Sequence, residues 1–215
     1  MASLPLMLLL ELQYLAPIQY YAKLCSGQPI VIEQHEHYIK RSYRNRAHIL
    51  GANGMMRLTI PLKKGKNEGQ AIREVQIEYV RKWQHQHWQS IQSAYGKSPF
   101  FEHYSEELRP FFEKKYKFLF DFNFELMENL MDLIGINPNI SLTKNFTHNP
   151  SEDILDLRNS IHPKKNHHKL DSHYQSITYA QVFQDKFGFV SDLSILDLLF
   201  CMGNETSLIL EQSNV

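Results

Sequence analysis

Lys40, Arg41, Arg44 and Arg46 put four cations into seven consecutive residues, with Ser42, Tyr43 and Asn45 between them. Guanidinium groups grip phosphate or carboxylate through paired, parallel N–H donors, so the segment suits an anionic ligand. If the chain is extended here, Lys40, Arg44 and Arg46 share one face and Arg41 and Asn45 share the other. A solvated charged strand is the plain alternative. Glu33 and Glu36 also lie close enough to pair with these cations structurally.

Two further positions have the right chemistry. Gln13 follows the first apolar run and Glu33 and Gln34 follow the second, so parallel neighbouring strands would bring all three to one rim. Open α/β sheets collect ligands at that edge, and a glutamine there can fix a substrate by donating and accepting together. A hydrogen bond at a helix start would use Gln13 equally well. His87 titrates near neutrality when unperturbed and can act as a general acid or base. The competing picture is a histidine hydrogen-bonded on a partly buried helix face. His85, two helical positions away, points elsewhere.

Eleven histidines raise the question of a metal. His35 with His37 and His85 with His87 are i, i+2 pairs, which share a face in a strand but not in a helix. His162, His167, His168 and His173 follow no ligand spacing, so no metal site is assigned. Asp156, Arg158 and Lys164 lie in a polar stretch that can close over a ligand as a lid, or they form an ordinary salt bridge. No G-x-S-x-G, Walker loop or G-x-G-x-x-G occurs, and no motif specifies a cofactor. Cys25 and Cys201 sit among apolar residues, as packed thiols do.

The spacing of apolar side chains gives the elements that must carry these groups. Met7 to Leu12 reads as a buried strand, Gln13 to Cys25 as a helix with Pro17 near its start, and Pro29 to Glu33 as a second strand. Strand, helix, strand in this length implies a βαβ crossover and a parallel pair. Arg46 to Leu50 and Met55 to Leu62 read as a hairpin turning at Asn53-Gly54, and Val75, Ile77 and Tyr79 as another strand. Trp88, Ile91 and Tyr95 form a helical stripe ending at Gly96, and further helices are expected over 101–114 and 125–134, the last stopped by Gly135 and Pro138. Residues 137–174 read as a long polar loop. The segments 179–187 and 191–200 close the chain, with Ser191 or Ser194 capping the latter and Asp197 in capping-box spacing from Ser194.

At 215 residues the chain can bury one substantial core. With 23 basic and 23 acidic residues the formal net charge is zero, which argues against a nucleic-acid partner. The run from Leu4 to Leu10 lacks a basic flank and a cleavage site and is too short to span a bilayer, so no integral membrane segment is expected. Two cysteines make neither a disulfide framework nor a zinc site and suit a reduced, cytoplasmic compartment. The fold class is therefore α/β: an N-terminal βαβ unit plus an antiparallel hairpin forming a mixed sheet, followed by a mainly helical C-terminal half.

Several stretches, taken in order, resemble one family. Gln13 to Tyr21 (Q-Y-L-A-P-I-Q-Y-Y) is similar to the opening of WbqC-like proteins, Ile32 to Arg46 (I-E-Q-H-E-H-Y-I-K-R-S-Y-R-N-R) to their acidic-then-basic central segment, and the hairpin with L-T-I-P-L follows in the expected place. Trp83 to Phe101, then Asp156 to Arg158 (D-L-R), Ile161 to Lys164 (I-H-P-K), Tyr179 to Phe183 (Y-A-Q-V-F) and Leu193 to Phe200 continue the match. Ala16 departs from it, standing where a second proline is expected beside Pro17. The resemblance implies one domain over 1–215, with an α/β portion (1–80), a helical portion (81–136), the loop (137–174) and C-terminal helices (175–215). It also implies a cytoplasmic transferase of bacterial O-antigen or related surface-polysaccharide biosynthesis. The substrate would be a small molecule such as a nucleotide- or lipid-linked sugar, with an amino-acid or acyl group transferred. On this reading Gln13, Glu33, Lys40, Arg41, Arg44, Asn45, Arg46, Arg158 and Lys164 bind substrate and His87 moves a proton. The alternative is a non-catalytic ligand-binding or scaffold protein of a glycan pathway.

Overall fold

The computed structural model describes residues 7–63, 65, 67–164 and 171–215. Leu4 to Leu6 of the first apolar run, and His167 and His168, lie outside them.

Four short strands make a parallel sheet in the order β5-β2-β1-β6. They are β1 (Met7–Leu10), β2 (Ile30–Ile32), β5 (Ile140–Leu142) and β6 (Ile154–Asp156). The central strand β1 pairs Leu8 with Ile30 on one side and with Leu155 on the other. Leu8, Leu9 and Leu10 are buried because a central parallel strand is covered on both faces, and each contributes roughly 1.5–3 kcal/mol of apolar burial. Helix α1 (Ile18–Leu24) is the crossover between β1 and β2; Pro17 occupies its N-cap, and the whole helix is buried. The βαβ unit is therefore present as read.

The hairpin β3 (Arg46–Gly51) and β4 (Gly54–Thr59) forms its own two-stranded ladder. Ala47 and Ile49 turn into the core while Arg46 and His48 turn away, the period-2 alternation of a one-sided sheet. Gly54, at φ 107°, supplies the conformation that the tight turn needs.

The helical half contains α2 (Trp83–Tyr95), α3 (Phe101–Leu108), α4 (Leu119–Ile134), α5 (Gln184–Phe187), α6 (Ile195–Met202) and α7 (Thr206–Gln212). Gly135, left-handed at φ 80°, ends α4 as expected. Ser194 caps α6 through its hydroxyl, but the Asp197 carboxylate turns away from the cap to accept from Tyr179 (2.6 Å) and Gln181 (2.8 Å).

Three expectations are corrected. The polar stretch 137–174 is not a structureless loop, because it supplies β5 and β6, the two outer strands of the parallel sheet. Val75, Ile77 and Tyr79 make no strand: Gln76 and Ile77 form only isolated bridges, to Phe118 and Leu62. Helix α4 begins at Leu119, not near 125, since Phe120 and Phe122 belong to its buried face. Among the described residues no helix is long and apolar enough to cross a membrane.

Candidate functional site

Parallel strands end at a common edge, so the residues that follow them converge. Glu11 and Gln13 follow β1, Glu33 follows β2, Thr143 follows β5, and Arg158 and Asn159 follow β6. Glu33 is fully buried and saturated. One oxygen accepts from the Thr143 hydroxyl (2.7 Å) and the His35 amide (2.9 Å); the other accepts from the Thr147 amide (3.0 Å) and Arg158 (3.2 Å). Glu11, also buried, accepts from the Gln13 side-chain amide and the Asn159 backbone amide, each at 2.9 Å.

Arg44 joins these groups from below. Its guanidinium has no exposed surface and meets Glu36 with two parallel bonds, from Nε to Oε1 (2.7 Å) and from Nη2 to Oε2. Nη2 also donates to Asn159 Oδ1 at 3.0 Å, and Nη1 lies 3.9 Å from Glu11. Burial alone would lower the Arg44 pKa, but Glu11 and then Glu36 outweigh it and hold the group above its ordinary value. Glu36 moves differently. Burial pushes its carboxyl up to about 7 against the pull of Arg44, and the charges of Glu11 and Glu33 add to the rise.

Above this network opens a cavity of about 390 Å³, with Glu36, Glu68, Asp156, Arg158 and Asn159 around it and the rings of Tyr38, His37 and Phe146 as walls. Arg158 does not offer its charge to it freely. Its Nε and Nη2 grip Asp156 (2.9 and 2.7 Å), Nη2 also donates to the Thr147 carbonyl (2.8 Å), and its plane lies over Phe146 at 5.0 Å. Asn159 holds φ at 62°, a left-handed conformation stored beside a cavity. With its cations spent on internal carboxylates, the cavity presents acceptors and aromatic faces.

The sequence candidates separate accordingly. Gln13, Glu33, Arg44 and Arg158 are brought together at the rim. Lys40 is exposed and pairs with Glu68 at 3.0 Å. Asn45 is structural in its contacts, accepting from Tyr38 (3.0 Å) and donating to the Ile60 carbonyl (2.9 Å). Lys164 is exposed on the segment after β6. The extended arrangement of residues 40–46 is corrected: Arg41 turns the chain at φ 62° and Tyr43–Asn45 coil into a short 3-10 helix. Lys40, Arg44 and Arg46 therefore share no face; Arg44 points inward to Glu36 while Lys40 points to solvent.

His87 is not among the residues lining the cavity. It is buried, its Nε2 accepts from the Thr59 amide (3.1 Å), and its Nδ1 faces the Tyr14 hydroxyl (2.9 Å). An amide can only donate, so the neutral ring carries its proton on Nδ1 and the Tyr14 oxygen accepts it. Burial lowers the pKa to about 4. Sequence reasoning missed Glu11, Thr143 and Asn159. The signal for the first was available, since an acid directly after a buried strand sits on the carboxyl edge. Among the described residues no group of three His, Cys, Asp or Glu side chains is placed to hold a metal ion. Burial pushes the thiols of Cys25 and Cys201 up to about 12, which leaves them poor nucleophiles.

A model of the WbqC-like protein family matches residues 13–168, a span that holds the cavity, the hairpin and the rim residues other than Glu11. In the same comparisons no curated protein and no solved structure matches the chain.

Proposed function

This chain belongs to the WbqC-like protein family, and from that premise we propose that it is a transferase of bacterial surface-polysaccharide biosynthesis acting on a nucleotide- or lipid-linked sugar. The sugar, or an amino-bearing donor, sits in the cavity at the carboxyl edge of the parallel sheet. The observation that carries this reading is the state of the two arginines there. Arg44 and Arg158 are already neutralised by Glu36, Asp156 and Glu33, so what remains on offer is carboxylate, amide and ring. Hydroxyl and ammonium groups donate to such acceptors, and apolar sugar faces lie against rings such as Tyr38 and Phe146.

Glu36 is the group we assign to proton transfer. It lines the cavity, and a carboxyl held near neutrality can both give and take a proton. Asn159 and Gln13 position it indirectly, through Arg44 and Glu11. His87 serves Tyr14 and the hairpin instead of the ligand.

The test is incubation of the protein with a panel of nucleotide sugars, each with and without glycine or an acyl donor, read by mass change. A new product that disappears in Glu36→Gln and weakens in Asp156→Asn supports the assignment. Binding without any mass change would make the protein a ligand-binding member of a glycan pathway. Neither binding nor turnover across the panel would overturn the reading.

A further inference from the structure

Among the described residues the hairpin carries two arginines with no ion pair, Arg46 and Arg57. Arg46 pairs with Thr59 across the ladder and His48 with Arg57, which puts Arg46 and Arg57 on one face as diagonal neighbours, roughly 7–8 Å apart and somewhat closer at Cβ. Arg41 approaches the same place from the preceding turn, close enough for its charge and that of Arg57 to add to burial in pulling Arg46 below its ordinary pKa. Burial, Arg57 and Arg46 lower His48 in the same way. Among the described residues none of Arg41, Arg46 and Arg57 meets a carboxylate within ion-pair distance, whereas Arg44 and Arg158 do. Arg46 Nε is shielded from solvent and has no hydrogen-bond partner. Like charges gathered on one face of a ladder without carboxylates repel one another, and an anionic ligand relieves that repulsion.

We propose that this face binds the diphosphate of the activated sugar, with Arg46 and Arg57 gripping phosphate oxygens and Arg41 and His48 flanking them. Guanidinium forks match phosphate geometry two bonds at a time. Tyr38 connects the two halves. It lines the acidic cavity, and its hydroxyl donates to Asn45 Oδ1 (3.0 Å), the residue directly before Arg46. A ligand with a phosphate end and a hydroxylated end thus meets cations on one side of Tyr38 and acceptors on the other. The inference rests on the sugar reading for the identity of the ligand, but not for the existence of the anion seat.

Inorganic pyrophosphate titrated into the full chain by calorimetry, at low and at physiological salt, is the test. The wild type is expected to bind with a salt-dependent affinity, and Arg46→Gln combined with Arg57→Gln to lose at least about tenfold. Arg109→Gln, which removes an exposed arginine of the helical half, keeps wild-type pyrophosphate binding, which separates the seat from a general loss of positive charge. The double variant should unfold at the wild-type midpoint or above it, because it removes repulsion and no partner. No binding by the wild type, or equal binding by the folded double variant, overturns the proposal. A nucleoside diphosphate and a short isoprenyl diphosphate then identify the carrier by which binds tighter; if neither improves on pyrophosphate, the assignment to an activated sugar is overturned. Pyrophosphate binding by a wild type that binds no nucleotide sugar of the panel more tightly and converts none refutes the sugar reading alone.

Discussion

His87 gives the sharpest separation between a structural and a catalytic histidine. In the folded chain burial holds its pKa near 4; in the unfolded chain it returns to about 6.5. The unfolded state therefore takes up a proton that the folded state refuses, and stability from this group is lost as pH falls from 6.5 toward 4. At about 1.4 kcal/mol per pH unit the full loss is about 3 kcal/mol, of which about 2 kcal/mol appears between pH 7.5 and 5. Replacing His87 by Gln removes the titration while leaving an acceptor for the Thr59 amide and a donor for Tyr14. Urea unfolding of both proteins across that range reads the result as the change in their difference, so that every other titrating group cancels. The variant should start below the wild type at pH 7.5 and regain about 2 kcal/mol relative to it by pH 5. Curves that stay parallel would refute a buried neutral imidazole. In the mass-change assay His87→Gln should retain turnover at temperatures where it is folded.

Other outcomes follow from the rim. Arg44→Met strands Glu36 and Glu11 without their buried cation and should cost about 3–5 kcal/mol at pH 8. That deficit should shrink at pH 5.5, where Glu36 can protonate, as unfolding at the two pH values will read. In the wild type, the folded Glu36 carboxyl is held above its unfolded value, so its contribution is full below about pH 4.5 and is lost as pH rises through about 7; Glu36→Gln should remove that trend from the unfolding midpoint against pH. Asn159→Ala should be less stable than Asn159→Gly by about 1 kcal/mol, because only glycine adopts φ 62° without strain; paired denaturation curves check it. Gly203→Ala should be among the costlier small substitutions, as a β-carbon there would come within 2.6 Å of the Phe100 ring; its thermal midpoint tests this.

The parts of the fold that could be read from sequence were those where local pattern and tertiary demand agree. Leu8 to Leu10 is apolar without interruption, Ala47 and Ile49 alternate with Arg46 and His48, and Gly135 sits where a helix needs a left-handed stop. β5 and β6 escaped because Ile-Ser-Leu and Ile-Leu-Asp are three residues long, too short to show a period, and owe their conformation to pairing with distant β2 and β1. The site was half legible for the same reason. Gln13 and Glu33 follow strands that announce themselves, whereas Asn159 follows one that does not. The basic segment drew attention by composition, but composition does not say which arginine is spent. Arg44 goes to Glu36, the partner that the plain alternative had named, and Arg46 stays open because a register pairs it with Thr59.

The order β5-β2-β1-β6 also has a consequence for synthesis. A ribosome releases β1, α1 and β2 early, then must extend the chain by more than a hundred residues before Ile140 and Ile154 emerge. At roughly ten residues per second this leaves the two inner strands with bare edges for on the order of ten seconds. Both edges of the nascent pair are apolar and unpaired during that interval, the condition under which strands find wrong partners. The floor beneath the cavity therefore cannot exist until about three-quarters of the chain has been made. Abundance in the cell should consequently respond to translation speed between the hairpin and β5, and to chaperones that shield newly made strands.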